Sequence, residues 1–203
     1  MKFICIGRNY ADHARELGNE VNEEPVVFLK PDTALLKHNQ PFYLPAFSSD
    51  VHHEVEIIYR IGKEGKNIAP KFAWKYVDGI GLGIDFTARD LQSQLKAKGL
   101  PWEISKAFND SAVVSEFVPI ETYADHNQLQ FELNVNGELK QKGHSSHMIF
   151  ALETLISYTS RFFTLKKGDI LFTGTPAGVG KVSIGDRLMG TLQGISMFDF
   201  EVK

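Results

Sequence analysis

The chain has 203 residues, of which 43% are hydrophobic, and a formal net charge of -3 at pH 7. This length is enough to bury one sizeable apolar core. The small negative charge argues against the strong positive field with which proteins bind nucleic acid or an acidic membrane surface. We therefore expect a single domain over residues 1–203 and no nucleic-acid partner.

The N-terminal residues and the apolar runs predict the cellular location of the protein. No run approaches the roughly 20 apolar residues of a membrane-spanning helix, and the apolar stretch 3–6 is too short for a secretory signal. We expect a cytoplasmic protein without a membrane partner. Cys5, the single cysteine, cannot form an internal disulfide, and we interpret it as a small core residue.

The first thirty residues alternate between apolar runs and helix formers. Residues 3–6 predict a short buried strand. Residues 10–17 predict a short polar helix that ends at Gly18, because glycine is common just past a helix C-terminus. The run 25–31, bounded by prolines, predicts an extended segment.

The middle of the chain predicts two strands and a helix. Residues 51–61 are rich in β-branched side chains, which favours a strand. Residues 79–84 form a glycine-rich apolar strand that can pass close to another backbone. Residues 91–98 have a helical composition, and the segment Gly99-Leu100-Pro101 closes that helix.

A hairpin and a third helix follow. Residues 130–135 and 138–141 flank Asn136-Gly137, a pair typical of a type I′ turn because both central positions need a positive φ. Residues 148–163 have apolar side chains at helical spacing.

The tail, residues 169–173 and 186–202, predicts short strands separated by glycine turns. Strands therefore predominate over helices along the chain. We predict a mixed α/β fold that is mainly antiparallel β rather than a doubly wound parallel sheet.

Two glutamates occupy alternate positions in the predicted strand 51–61. Side chains two residues apart in a strand point to the same face, so Glu54 and Glu56 place two carboxylates side by side while Val55 and Ile57 face the core. Two like charges at close range are costly without a cation. The common alternative is an acidic strand face exposed to water.

A third carboxylate, Asp85, ends the glycine-rich strand, where a buried acid needs a partner. Three carboxylates without cysteine suit Mg²⁺ or Mn²⁺, and octahedral positions left open for water or substrate suggest catalysis. A Zn²⁺ site with His52 and His53 is the alternative. Neighbouring residues of a strand point to opposite faces, which disfavours it.

Six stretches of the sequence, in the same order, resemble the fumarylacetoacetate hydrolase family. They are Gly7-Arg8-Asn9-Tyr10-Ala11-Asp12-His13, Phe28-Leu29-Lys30-Pro31, His53-Glu54-Val55-Glu56, Gly83-Ile84-Asp85-Phe86-Thr87-Ala88-Arg89-Asp90, Lys98-Gly99-Leu100-Pro101-Trp102 and Thr173-Gly174-Thr175-Pro176-Ala177-Gly178-Val179-Gly180. The resemblance covers nearly the whole chain. It is closest to the small acylpyruvase and oxaloacetate decarboxylase members.

The resemblance implies a fold and a metal site. The fold is a β-sandwich roll with a few short helices, like the C-terminal domain of the family. The implied metal ligands are Glu54, Glu56 and Asp85, the same three residues that the strand pattern selects. The resemblance also implies a homodimer, and a β-rich chain has exposed strand edges to cover.

Family members similar to this chain pair a histidine with a glutamate on a short N-terminal helix, and His13 and Glu16 match that pair. At a spacing of three they lie on one helix face. A carboxylate that orients an imidazole suits it to act as a general base. Without the resemblance, a solvated surface pair is the common interpretation.

Three further residues match active-site positions of the family. Lys106 matches its active-site lysine, and Gln92 and Thr175 match positions that contact substrate. Taken alone, they are typical of a surface lysine, a solvent-facing helix residue and a turn residue. Lys30 and Arg8 resemble positions near the site, and we assign them no definite role.

The resemblance implies Mg²⁺-dependent cleavage of a carbon-carbon bond in a small 2-oxo acid, by acylpyruvate hydrolysis, oxaloacetate decarboxylation or both. The substrate would chelate the ion, and a metal-bound enolate would take up the electrons of the broken bond. A 2-hydroxymuconate-type isomerase, decarboxylase or hydratase of the same family is an alternative. A non-catalytic metal- or sugar-binding β module and a purely structural oligomerisation domain are alternatives of other classes.

Overall fold

A computed structural model describes residues 1–16, 22–36 and 39–203. The strands, in chain order, are β1 (Lys2–Gly7), β2 (Val26–Pro31), β3 (Leu35–Leu36), β4 (Val51–His53), β5 (Val55–Ile61), β6 (Val77–Asp85), β7 (Thr87–Ala88), β8 (Ala112–Val114), β9 (Val118–Pro119), β10 (Gln130–Val135), β11 (Glu138–His144), β12 (Ile170–Phe172), β13 (Gly180–Lys181), β14 (Arg187–Leu192) and β15 (Ile195–Glu201).

Helices are short. The α-helices are α1 (Ala11–Glu16), α2 (Arg89–Ala97), α3 (Glu103–Lys106) and α4 (Leu152–Phe162), and 3-10 turns cover Asp32–Ala34, Pro70–Tyr76, Ile120–Thr122 and Ser145–His147. Within the described ranges, no helix has both the length and the apolar character needed to cross a membrane.

Three sheets build the described part of the chain. The large sheet has eight strands in the order β2-β1-β12-β5-β6-β8-β3, with β9 added beside β6. A four-stranded sheet has the order β11-β10-β14-β15, and a three-stranded sheet the order β13-β4-β7. Most pairs are antiparallel, and β1 with β12 and β3 with β8 are parallel. The predicted mixed, mainly antiparallel β fold is confirmed.

The core lies between the large sheet and the four-stranded sheet. One buried cluster joins Ile57 and Leu82 of the large sheet to Leu133 and Leu188 of the four-stranded sheet. On β10, the members of this cluster are Phe131, Leu133 and Val135, which occupy alternate positions of the strand, as expected for the strand face that packs on the core. Burying this apolar surface is the main force that holds the two layers face to face.

The chain crosses between the large and the three-stranded sheet at two neighbouring points. Residues 51–61 do not form one continuous strand as predicted, because β4 pairs with β7 and β13 while β5 pairs with β12 and β6. Glu54 lies at this break. The second crossing separates β6 from β7, and the Asp85 backbone N–H donates to the Glu54 carbonyl over 2.9 Å. We call this pair of crossings the seam.

Close approach explains the glycines of β6. A Cβ atom built on Gly83 would lie 2.6 Å from the Val113 carbonyl oxygen and 2.8 Å from the Phe172 ring. Real Cβ atoms do not approach other atoms so closely. The prediction that this strand passes close to another backbone is therefore confirmed.

Two local predictions hold and one needs correction. Asn136 and Gly137 both have positive φ, and the hairpin between β10 and β11 forms as predicted. The helix predicted over residues 91–98 is α2. The helix predicted over 148–163 begins only at Leu152, because residues 148–150 pair with the Asn9 segment instead. The helix predicted over 10–17 is α1, which is described over Ala11–Glu16; the predicted last residue Leu17 and the expected stop at Gly18 lie outside the described residues.

Candidate active site

Three carboxylates meet at the seam. Glu54 lies at the β4–β5 break, Glu56 follows on β5, and Asp85 ends β6. One carboxylate oxygen from each lies within 4.8 Å of the others. The side chains are buried, with residue exposures of 5%, 2% and 1%. The alternative of an acidic strand face exposed to water is therefore wrong.

Three cations surround two of these acids. The Lys106 ammonium donates to Glu54 Oε2 over 2.8 Å and to Asp85 Oδ2 over 2.7 Å. Lys30 lies 2.7 Å from Asp85 Oδ1 on the other side, and the Arg89 guanidinium pairs with Glu54 Oε1. Buried charges are tolerated when they are paired in this way.

The ion pairs set the charge states of Glu54 and Lys106. Burial opposes the charged form of Glu54, but the charges of Lys106 and Arg89 outweigh it and hold the pKa of this carboxyl well below its usual range. Burial also opposes the charged form of Lys106. Asp85 and Glu54 outweigh it in turn and raise the pKa of the ammonium.

Among the described residues, Glu56 is the acid of the three that forms no ion pair with a lysine or arginine. Its Oε2 accepts the Gly174 backbone N–H over 2.6 Å, and Gly174 adopts the left-handed φ of 99° that favours glycine. Burial, followed by the charges of Asp85 and Glu54, raises the pKa of Glu56 well above its usual value. This crowding of like charges favours a bound cation.

The donor set fits a hard divalent cation. It consists of Glu54, Glu56 and Asp85, which we call the acidic trio. These residues supply carboxylate oxygens alone, the ligand type that suits Mg²⁺ and Mn²⁺. His52 and His53 turn to separate partners, with His52 Nε2 3.0 Å from Asp50 Oδ1 and His53 Nδ1 2.9 Å from Gln141 Oε1. The two histidines therefore do not converge on one Zn²⁺ ion, and burial lowers the pKa of His53.

Helix α1 brings His13 and Glu16 to the same region. His13 Nδ1 lies 3.2 Å from Glu16 Oε2, and the His13 residue is only 4% exposed, so it is not a solvated surface side chain. The Glu16 carboxylate also accepts the Gly178 backbone N–H over 3.0 Å. This second contact ties α1 to the loop that follows β12.

One cleft collects most of the predicted residues. Its lining includes His13, Glu54, Glu56, Asp85, Gln92, Lys106 and Thr175. Glu16 reaches the cleft through its contact with His13. The structure thus brings all eight predicted site residues together, although they come from distant parts of the chain.

Gln92, Thr175 and Lys106 are buried, unlike the exposed positions that their residue types suggest. The Gln92 carbonyl oxygen accepts the Arg89 guanidinium over 2.6 Å, and Thr175 Oγ1 accepts the Gln141 side-chain amide over 2.8 Å. Each side chain therefore has a fixed orientation at the cleft wall. The interpretations of Lys106 as a surface lysine and of Gln92 as a solvent-facing residue are wrong.

Sequence reasoning assigned no role to three residues that shape the cleft. Lys30 and Arg89 lie within the family-like stretches 28–31 and 83–90, which pointed to their part of the chain. A hydrophobic pattern, however, does not distinguish a buried paired cation from an exposed one. Gln141 lies outside all six family-like stretches, so the sequence did not point to it. Its Oε1 accepts the Val55 backbone N–H over 3.0 Å, and its Nε2 donates to the Pro176 carbonyl over 3.0 Å. It holds β5 against the loop that carries Thr175.

Two proteins of known sequence are similar to the chain over nearly its full length. A mitochondrial oxaloacetate tautomerase of Mus musculus is 46% identical over 200 residues, which cover 98% of this chain and 90% of that protein. A mitochondrial oxaloacetate decarboxylase of Dictyostelium discoideum is 45% identical over 195 residues, which cover 96% of this chain and 89% of that protein.

A solved structure is similar as well. A fumarylpyruvate hydrolase of Pseudomonas aeruginosa, determined in complex with Mn²⁺ and pyruvate, is 37% identical and has a TM-score of 0.94. The match covers 100% of this chain and 89% of that chain. These relatives are enzymes. Residues 2–203 also match the family described as fumarylacetoacetate hydrolase C-terminal. With a match of this extent, and with the fold and acidic trio described above, the chain belongs to the fumarylacetoacetate hydrolase family.

Proposed function

We propose that the protein uses a divalent cation to form an enolate from a small 2-oxo acid and so cleaves a carbon-carbon bond. The reactions are acylpyruvate hydrolysis, oxaloacetate decarboxylation or both. One observation carries the proposal: three buried carboxylates, the Lys106 ammonium and the His13 imidazole line a single cleft. Such a site can hold a cation, stabilise an oxyanion and move a proton.

Glu54, Glu56 and Asp85 would hold the ion. Carboxylates suit both Mg²⁺ and Mn²⁺. We assign Mg²⁺ first, because the family resemblance of the sequence implies it. Mn²⁺ is the second assignment, because the similar Pseudomonas enzyme was solved with Mn²⁺ and pyruvate. When bound, the ion would polarise the 2-oxo group and stabilise the negative charge of an enolate.

For acylpyruvate hydrolysis, His13 takes a proton from water while Glu16 orients the imidazole. The water oxygen bonds to C4, and Lys106 and Gln92 stabilise the resulting oxyanion. The C3–C4 bond then breaks, and its electron pair passes to C3 as the pyruvate enolate. Return of the proton from His13 to C3 gives pyruvate and a carboxylic acid. The Thr175 hydroxyl donates a hydrogen bond to the substrate carboxylate.

Decarboxylation of oxaloacetate needs no attacking water. The C3–C4 bond breaks, C4 leaves as CO₂, and its electrons form the same pyruvate enolate, which takes up one proton at C3. Because both reactions share this enolate, one arrangement of residues serves both.

A second candidate is tautomerisation of oxaloacetate, which the name of the similar mouse protein favours. Here His13 removes a proton from C3 and the oxygen of the 2-oxo group gains one, with no bond between carbons broken. A 2-hydroxymuconate-type isomerase, decarboxylase or hydratase would use the same enolate chemistry on a longer substrate.

A substrate panel tests the proposal. The metal-free protein, prepared with a chelator, is incubated with oxaloacetate, acetylpyruvate or fumarylpyruvate, with and without Mg²⁺ or Mn²⁺, and products are followed by NMR. We expect ion-dependent formation of pyruvate from at least one substrate. Ion-dependent exchange between enol and keto oxaloacetate without pyruvate selects the tautomerase. No change in any substrate contradicts both.

Titration with oxalate, an enolate-like chelator, separates the enzyme from a non-catalytic β module. The proposal expects oxalate to bind in the presence of Mg²⁺ and not in its absence. A module whose acidic strand binds metal or sugar for another purpose would bind no oxalate in either condition.

We further propose that residues 1–203 act as one catalytic domain and that the protein is a cytoplasmic homodimer. An apolar groove supports the dimer: it is lined by Leu29, Phe47, Leu91, Ile104 and Phe108, among others. Ile104 is 62% exposed, which is unusual for a large apolar side chain beside other apolar groups. A second copy of the chain that covers the groove would remove this surface from water.

A further inference from the structure

We infer that Arg8, Lys96 and Trp102 form a subsite for a second carboxylate, so that the cleft prefers dicarboxylic over monocarboxylic 2-oxo acids. The inference rests on the proposed function because it concerns the same cleft. It assigns roles to three residues that the metal and proton-transfer chemistry does not use.

The three residues form a layer next to the carboxylate trio. Lys106, which contacts Asp85, lies 5.2 Å above the Phe28 ring. The Phe28 and Trp102 ring centroids are 6.2 Å apart. The contacts therefore lead stepwise from the trio to Trp102, and all of these side chains line the cleft.

Two cations flank Trp102. The Arg8 guanidinium carbon and the Lys96 Nζ each lie 6.0 Å from the indole centroid. A contact of this kind holds the Arg8 guanidinium in place while leaving its N–H donors available to an anion. Across the described ranges, no carboxylate lies within ion-pair distance of Arg8, whereas Arg89 and Lys106 already pair with the trio.

The backbone of Arg8 shows that its placement is specific. Arg8 has φ of 60°, in the left-handed region that residues other than glycine, asparagine and aspartate rarely adopt. The conformation lies immediately after β1 and presents Arg8 to the cleft. Unfavourable conformations of this kind persist where the surrounding structure enforces them, and they concentrate at functional sites.

The charge of the cleft matches a dianion. Its lining carries four cations, Arg8, Arg89, Lys96 and Lys106, and three carboxylates. A bound divalent ion would give it an excess of three positive charges. Burial, followed by the charges of Arg8, Arg89 and Lys106, lowers the pKa of Lys96. A substrate with one carboxylate relieves part of this crowding, and a second carboxylate near Arg8 relieves more.

Charge-neutral variants test the subsite. Arg8→Asn removes the guanidinium and keeps a residue that tolerates positive φ, and Lys96→Met removes the ammonium. In each, we expect the ratio of kcat/KM for oxaloacetate or fumarylpyruvate to that for acetylpyruvate to fall about 10- to 100-fold, the range of a lost charged hydrogen bond. The loss should appear mainly as a higher KM for the dicarboxylate.

Two further variants control for charge and position. Arg8→Lys keeps the charge, and we expect it to retain most of the preference. Lys98→Met removes an exposed lysine just past α2 and outside the cleft lining, and the ratio should not change.

Binding of unreactive ligands separates this inference from the proposed activity. With Mn²⁺ present, titration compares 2-oxoglutarate, a dicarboxylate, with 2-oxobutyrate, a monocarboxylate. Wild type should bind 2-oxoglutarate more tightly, and Arg8→Asn should lose this advantage. Equal binding by wild type, or an advantage that survives both neutral variants, overturns the inference even if the enzyme is active. Failure of the substrate panel with an intact 2-oxoglutarate preference would overturn the reaction and support the subsite.

Discussion

Asp85 is the acid of the cleft that contacts two buried ammonium groups. Its two oxygens contact the Lys30 and Lys106 ammonium groups, and its backbone N–H donates to Glu54. Asp85→Asn removes the negative charge and nearly keeps the size and shape of the side chain, so this residue offers a direct test of the proposed cation.

We expect Asp85→Asn to lower ion-dependent turnover by more than about 100-fold, because even residues that only orient metal ligands cost 10- to 100-fold when replaced. Mn²⁺ binding, measured by calorimetry, should weaken in parallel. Circular dichroism should show a folded protein. Asp78→Asn is the matched control, since Asp78 lies at the other end of β6 and pairs with Arg60. Undiminished ion-dependent turnover by Asp85→Asn would rule out the assignment.

His13 provides a test of the proposed reaction steps. His13→Ala removes the proton acceptor for water, so acylpyruvate hydrolysis should fall about 10²- to 10⁴-fold. Oxaloacetate decarboxylation, which needs no water, should fall far less. Steady-state rates with both substrates measure the difference.

The control for His13 is Arg15→Ala on the same helix, because Arg15 is exposed and pairs with Asp12. It should leave both rates near those of wild type. A similar loss of hydrolysis and decarboxylation in His13→Ala would contradict the water-activating role.

The proximity of the acidic trio was predictable from sequence, and its surroundings were not. Strand periodicity places Glu54 and Glu56 on one side, and Asp85 is conspicuous as the sole acid that closes an apolar glycine-rich strand. The burial of Lys30 and Lys106 depends on contacts with residues more than 20 positions away. No local pattern reports such contacts.

At the scale of elements, β6 depends on glycine for its close contact with β8 and β12. Gly83→Ala should lower the free energy of unfolding by about 1–3 kcal/mol, the usual cost of overpacking, because the new methyl group would meet the Val113 carbonyl. Urea unfolding measures the change.

Gly7→Ala is the matched control for Gly83→Ala. A Cβ atom there would meet its nearest neighbour at an ordinary 3.7 Å, so we expect a much smaller change in the free energy of unfolding. Equal stability of both variants would contradict the packing argument for β6.

The elements that sequence predicted correctly are those with local causes. The Asn136-Gly137 turn forms because both residues accept positive φ wherever the hairpin lies. The helix predicted from 148 starts late because Ile149 donates its backbone N–H to the Asn9 carbonyl, a partner about 140 residues away. The break at Glu54 has a similar cause, since β4 and β5 pair with different sheets. Tertiary pairing overrides local propensity in both places.

The apolar groove around Ile104 provides a test of the proposed dimer at the scale of the whole molecule. Ile104→Asp introduces a charge among its apolar side chains and should shift a dimer of wild type to monomer in light scattering after gel filtration. Ile184→Asp is the control, because Ile184 is also exposed and lies outside the groove.

Two outcomes would contradict the assignment of the groove. A monomeric mass for wild type would rule out the homodimer itself. A dimer that persists in Ile104→Asp would place the interface elsewhere.

The position of the three acids at the seam predicts that the proposed ion also stabilises the fold. Glu54 and Asp85 lie where the chain passes from the large sheet to the three-stranded sheet, and Glu56 lies within the large sheet. An ion that joins these three oxygens would fasten two sheets at the point where both crossings meet. Since unfolding would scatter the ligands, mass action would make every increase in ion concentration above the dissociation constant add to the stability of the fold. The same ion would then support catalysis and also stabilise the contact between the two sheets.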